Sequence, residues 1–201
     1  MTPEPERSSP SSAALVLASA SPRRRDLLRQ IGLSDVEVVE PVVDEAPLAG
    51  ELPRQTAVRL ALAKATTVAG RCPGRFVLAA DTVVAKGRRA LGKSEDEGAA
   101  RLSLGLLSGG RHRVHTAVCV ISPSGAVRQR VVTTIVTFKR LSDGELLSYL
   151  ASQEWRGKAG AYAIQGRAAA FVRFLSGSYS GVVGLPLHET AGLLHGMGLR
   201  W

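Results

Sequence analysis

Ala14-Leu15-Val16-Leu17-Ala18-Ser19-Ala20-Ser21-Pro22-Arg23-Arg24-Arg25 is the stretch that decides the fold. Residues 14–18 form a short apolar run that reads as a buried strand. Pro22 suits the first turn of a helix, which the pattern carries from Arg23 to about Ile31 before Gly32 ends it. A strand feeding a helix through two serines makes a phosphate cradle: the helix N-terminus offers unpaired N–H groups and a partial positive charge, and guanidiniums stand beside it. The glycines of a P-loop or a dinucleotide fingerprint are missing. Three cations at a helix N-terminus oppose the macrodipole, and an arrangement that costs stability there points to an anion. A serine cap with a solvated basic turn is the plain alternative.

Outward from this stretch, helices and strands alternate. Val36–Val39 reads as a second strand, residues 40–52 as an acidic loop, and Pro53 opens a helix to about Ala69, closed by Gly70. Phe76–Ala80 reads as an apolar strand ending at Asp81. Val83–Ala85 and Ala90–Leu91 flank a hairpin turn at Lys86-Gly87. Ser94-Glu95-Asp96-Glu97 has the form of a capping box, with Ser94 as cap of a helix to about Leu107. His115–Ile121 and Val127–Phe138 are β-branched strands around Pro123-Ser124-Gly125. Ser142-Asp143-Gly144-Glu145 caps another helix. Phe171–Leu175 reads as a strand, Gly177–Gly184 as a glycine-rich return and Leu187 to about His195 as a last helix. Early alternation with antiparallel hairpins in the middle predicts an α/β or α+β fold with a mixed sheet. Residues 1–12 read as a disordered Pro/Ser tail and residues 13–201 as one domain.

The 201 residues are 45% apolar and 21% charged, which excludes a wholly disordered chain. No apolar stretch predicts a membrane-spanning helix, and no secretory signal is evident. Collagen, coiled-coil and repeat periodicities are absent. Two cysteines, Cys72 and Cys119, form neither a disulfide framework nor a zinc site, and reduced cysteines predict a cytoplasmic protein. The net charge of +9 falls in three basic segments, 21–30, 81–113 and 139–173, each +3. Six acids and no base lie between Arg29 and Arg54. Aromatics at 4% speak against a long nucleic acid, which needs stacking partners, so no stable nucleic-acid complex is expected. Basic clusters with an acidic stretch suit phosphate held by Arg and Lys and a divalent ion held by carboxylates.

Several groups are candidates for that chemistry. Asp81, followed by Thr82, stands at the carboxyl end of the most apolar strand, where ligands gather; a turn-starting aspartate is the equal alternative. Asp44 and Glu45 suit Mg²⁺ if phosphate completes the shell, or else are a solvated loop. Lys93 follows Gly92, and Lys158-Ala159-Gly160-Ala161-Tyr162-Ala163-Ile164-Gln165-Gly166 sets a lysine and a glutamine where backbone can approach a ligand. Gln165 can both donate to and accept from a base edge. The four histidines have no metal spacing and suggest no triad.

Taken in order, LASASPRRRDLL, VDE, RLALAKA, AADTVV, LGKSEDEGAARL, LSGGRHRVHTAV, KAGAYAIQG and GSYSGVVGLPL resemble the Maf family of nucleoside triphosphate pyrophosphatases, over about Leu15 to His195. The resemblance implies a two-lobed α/β fold with an elongated mixed sheet, a deep cleft and often a homodimer. It implies hydrolysis of a nucleoside triphosphate to monophosphate and pyrophosphate with a divalent cation, Mg²⁺ or Mn²⁺. Asp81 matches the family's proton acceptor and Glu45 a carboxylate near the metal; Asp81 as base and Asp81 as metal ligand stand as alternatives, since both uses need a carboxylate in the same place. Ser19, Arg23, Arg24, Lys64, Lys93 and Lys158 match phosphate-binding positions. Members acting on dTTP and UTP look like Ala80-Asp81-Thr82 and Ile164-Gln165-Gly166, whereas those acting on 7-methyl-GTP look like Ser-Asp-Gln and Ser-Glu-Gly. Arg23, Thr82 and Gln165 are therefore the implied specificity positions. Glu154-Trp155-Arg156-Gly157-Lys158 departs from the family's more usual acid before the lysine. A broad-specificity house-cleaning pyrophosphatase and a nucleic-acid-binding regulator of cell division stand as alternatives.

Overall fold

The computed structural model describes residues 15–201. The tail expected over residues 1–12 lies outside the described residues. Leu15–Ala18 is strand β1, buried throughout, and residues 19–21 lead straight into helix α1 (Pro22–Gln30). Strand β2 (Glu37–Val39) and helix α2 (Pro53–Ala69) follow as expected, then strand β3 (Phe76–Lys86). After β3 come β4 (Arg89–Leu91), α3 (Glu97–Leu107), β5 (Arg111–Ile121), β6 (Val127–Phe138) and α4 (Asp143–Ala151). A 3-10 turn (Arg167–Phe171), β7 (Val172–Ser176), α5 (Tyr179–Val183) and α6 (Leu187–Gly196) complete the described chain.

Among the described residues, seven strands make one mixed sheet in the order β2-β1-β3-β5-β6-β7, with β4 beside β3. β2, β1 and β3 run parallel, while β3, β5, β6 and β7 alternate antiparallel. The mixed sheet flanked by helices is the expected architecture.

Four local expectations need correction. β3 does not end at Asp81 but runs on to Lys86, because β5 pairs with it continuously from Val77↔Ile121 to Ala85↔Arg113. α3 is capped by Asp96, not Ser94; the Asp96 carboxylate accepts the Ala99 N–H at 2.8 Å. An antiparallel bridge between Lys93 and Ala159 keeps the chain extended just before Ser94 and delays the helix. β5 begins at Arg111, four residues early, because its polar start is paired with the end of β6. The glycine-rich return contains a short helix, α5, whose cap Ser178 accepts the Gly181 N–H at 2.9 Å.

Side chains along β3 alternate between the two faces of the sheet. Val77 and Ala79 pack with Val16, Ala18 and the Ala57, Ala61 and Ala65 row of α2. Those alanines, spaced four apart, bring the helix close to the sheet. Leu78, Ala80 and Val84 face the other, larger core, which includes Leu27 and Leu28 of α1, Leu193 and Leu194 of α6, and the Phe138–Tyr149–Phe171 aromatic group. Asp81 thus belongs to the α2 face and Thr82 to the opposite one.

Candidate active site

β3 has two partners on one edge. β1 pairs with it as far as Ala18↔Ala79, and β4 joins only at Val84↔Leu91. Ala80–Val83 therefore lie in a fork between the ends of two strands, and a cleft of about 440 Å³ opens there. Because neither neighbour covers that edge, Asp81 and Thr82 both reach one cleft from opposite faces of the sheet.

On the α2 face, Lys64 and Asp81 are each 7% exposed. Lys64 Nζ donates to Asp81 Oδ1 at 2.7 Å and pairs with Glu45 Oε1 at 2.6 Å. Glu45 Oε2 lies 3.5 Å from Lys93 Nζ. Among the described residues Asp81 Oδ2 has no protein partner. Partial burial pushes the Glu45 carboxyl up, but the hydrogen bond and charge of Lys64, helped by Lys93, outweigh it and hold the group below the usual carboxylate range. Asp44, the other half of the sequence pair, turns away and accepts the Ala46 N–H at 2.8 Å. The pair that meets is Glu45 with Asp81, brought together by Lys64.

At the head of α1, Arg24 donates from Nε to Gly184 O at 2.8 Å and from Nη1 to Ser19 Oγ at 2.9 Å. Burial lowers the Arg24 pKa, Asp81 opposes this and Arg23 adds to it. Burial lowers that of Arg23 as well. The first turn of α1 holds no acid, and Ser21 does not cap it by its side chain. Arg25 is exposed on the far side.

The third wall is the glycine-rich run. Gly160, at φ +67°, donates to Leu91 O at 3.0 Å, and a Cβ there would stand 2.8 Å from Val84 Cγ1. Only glycine fits so close beneath β3 with that backbone. Tyr149 Oη accepts the Ala163 N–H at 3.0 Å, Tyr162 Oη is 2.9 Å from His112 Nε2, and Glu154 Oε2 accepts the Arg167 N–H at 2.8 Å. These ties hold Lys158 and Gln165 at the cleft. Lys158, lacking an acid before it, donates to Arg156 O at 3.0 Å, and burial, then Arg23, lowers its pKa.

Of the sequence-derived candidates all but Asp44 line this cleft: Ser19, Arg23, Arg24, Glu45, Lys64, Asp81, Thr82, Lys93, Lys158 and Gln165. The wall also includes Glu40, Arg156 and Tyr162, which residue patterns had not singled out. Six cationic side chains face three carboxylates there, and the crowded, partly desolvated cations are a state that a polyanion relieves.

Residues 14–197 match the family model described as Maf-like protein. A dTTP/UTP pyrophosphatase of Paramagnetospirillum magneticum is 63% identical over 186 residues, covering 92% of this chain and 98% of that protein. A dTTP/UTP pyrophosphatase of Rhodospirillum rubrum is 59% identical over 196 residues, covering 98% and 93%. A solved structure of a HAM1 protein from Coxiella burnetii overlays with a TM-score of 0.46 at 14% identity, covering 90% of this chain and 98% of that one. The chain belongs to the Maf-like protein family.

Proposed function

We propose that this protein is a nucleoside triphosphate pyrophosphatase that hydrolyses dTTP and UTP to the monophosphate and pyrophosphate. The observation that carries the reading is the convergence of three basic segments on Asp81 and Glu45 in one cleft. The names of the relatives at 63% and 59% identity agree with it.

Asp81 lines the cleft with its Oδ1 on Lys64. It takes a proton from water as the oxygen bonds to the α-phosphorus, and the bond from that phosphorus to the bridging oxygen breaks in line. Pyrophosphate leaves with its charge matched by Arg23, Arg24, Lys93 and Lys158, and Ser19 adds a hydroxyl near the phosphates. The proton on Asp81 returns to solvent.

Glu45 and Asp81 already bring hard oxygen donors around one ammonium, and among the described residues no third metal-type side chain joins them. That donor set fits Mg²⁺ or Mn²⁺ that takes its other ligands from phosphate and water. Such an ion would be held by Glu45 and Asp81, and would supply charge neutralisation at the phosphates. Base choice falls to Thr82 and Gln165, with Arg23 beside the phosphates. The enzyme works as one domain over residues 13–201, and its two free cysteines suit the cytoplasm.

A panel of natural and modified nucleoside triphosphates with Mg²⁺ or Mn²⁺, assayed for both products, tests this. Release of pyrophosphate and monophosphate with dTTP and UTP foremost is expected. Inorganic phosphate as the product, or no turnover with any triphosphate, would overturn it.

A further inference from the structure

Just past α4, Gln153 sits at φ +59°, a left-handed position that usually goes to glycine at a helix end. Holding a glutamine there costs stability, and such outliers persist where the surroundings fix them. Here the side chain is fixed at both ends of its amide. Nε2 donates to Leu150 O at 3.1 Å, and Oε1 accepts the Arg156 Nε–H. Trp155, fully buried, donates from Nε1 to the same Leu150 carbonyl at 3.0 Å. The Arg156 guanidinium lies over the Trp155 ring, with Cζ 4.8 Å from the centroid. Two groups anchored on one helix-end carbonyl therefore hold Arg156, which is exposed and lines the cleft. The neighbouring acid is taken: Glu154 Oε2 accepts the Arg167 N–H at 2.8 Å, and Oε1 lies 3.7 Å from Arg167 Nε. Among the described residues neither Nη of Arg156 has a protein partner.

An arginine tied at Nε and stacked on its face keeps its two Nη groups as a ready fork, which matches paired phosphoryl oxygens. Lys158 Nζ, donating to Arg156 O at 3.0 Å, sets a second cation beside it. Neither belongs to the Lys64–Asp81–Glu45 network, where the α-phosphorus reacts in the proposed chemistry. We infer that Arg156 is a substrate-binding residue that grips the terminal pyrophosphoryl group of the triphosphate, with Gln153 as its positioning residue. This deepens the pyrophosphatase reading and rests on it. A grip on the part that leaves is present in substrate and product alike, so it sets KM and the affinity for pyrophosphate rather than kcat.

The test is kcat and KM for dTTP, with inhibition constants for inorganic pyrophosphate and for dTMP, in wild type, Arg156→Met, Arg156→Lys, Gln153→Asn and the Gln153→Asn/Arg156→Met double variant. Melting temperature is measured alongside. Arg156→Met keeps an apolar stem over Trp155 and removes the fork. It is expected to raise KM and the pyrophosphate inhibition constant together, about tenfold, with kcat within about threefold and dTMP inhibition unchanged. Arg156→Lys keeps the charge but neither the Nε tie nor the fork, and is expected to recover only about twofold of that loss. Gln153→Asn tolerates the left-handed backbone but is a methylene shorter and loses the tie. Its KM is expected to rise about threefold, and the double variant to match Arg156→Met, since Gln153 acts through Arg156. An unchanged KM in Arg156→Met, a full recovery in Arg156→Lys, or a loss of dTMP rather than pyrophosphate inhibition would overturn the inference while leaving the pyrophosphatase reading intact. A wild type without turnover of any triphosphate would overturn both. If Arg156→Met does not fold, Gln153→Asn decides alone: it leaves Arg156 in place over Trp155, and unchanged KM and pyrophosphate inhibition there refute the grip.

Discussion

The two faces of β3 at the fork present different chemistry. Asp81 looks toward α2 into charge: the Lys64 ammonium at 2.7 Å, itself paired with the Glu45 carboxylate at 2.6 Å. One residue on, Thr82 looks the other way into neutral groups: it accepts from the Thr116 hydroxyl at 3.2 Å and shares the cleft with Gln165. Charge belongs where a phosphoanhydride is broken, because a developing negative charge needs a fixed counter-charge. Neutral donors and acceptors belong where bases are compared, because they discriminate by hydrogen-bond polarity rather than by net attraction. A strand whose side chains alternate gives both within one step of the chain, provided the strand has an uncovered edge.

The widest separation of the two faces should come from Asp81→Asn. Loss of the proton acceptor is expected to lower kcat about 10³-fold or more, with dTTP affinity held within about threefold. Pyrophosphate release and titration calorimetry check it, and equal losses in kcat and affinity would erase the distinction. Lys64→Met is next. It strands the Asp81 carboxylate in a buried site, at a cost of about 3 kcal/mol. The variant should melt lower, and adding Asp81→Asn should recover part of the loss. No recovery would mean that Lys64 matters for packing alone.

Gly160→Ala sharpens the comparison from the other side. The new Cβ meets Val84 at 2.8 Å and the backbone sits at φ +67°, so a loss of about 1–3 kcal/mol is expected. Displacing the run that carries Lys158 and Gln165 should raise KM more than it lowers kcat.

The smallest effect concerns His112, on the Thr82 face beneath Tyr162. Burial, with some help from Lys86, lowers its pKa from 6.5 to about 4. Between those values the unfolded chain binds the proton and the folded one does not, so stability falls as pH drops through that window. Thermal melts from about pH 7 to about pH 5 should fall less steeply in His112→Phe than in wild type. A steeper fall would place the charge-sensitive face elsewhere.

Much of this was legible in the residues. α2 is bracketed by Pro53 and Gly70, signals carried by the local backbone, and β6 by its β-branched run. The proposed phosphate cradle was legible as a cost, three arginines against a helix dipole. Asp81 as a mid-strand residue was not, because the continuation depends on β5, some thirty-five residues away, and on where β1 and β4 stop. Glu45 was visible, but its partner was misread. Asp44 is its neighbour in the chain, whereas Lys64 and Asp81 reach it only after α2 docks on the sheet.

The most direct measurement is a crystal structure of the Asp81→Asn variant with dTTP and Mg²⁺. One nucleotide should straddle the fork, with its triphosphate among Arg24, Lys93 and Lys158 and its thymine against Thr82 and Gln165. A nucleotide lying wholly on one side of β3, or a thymine remote from Thr82, would contradict the division of labour between the two faces.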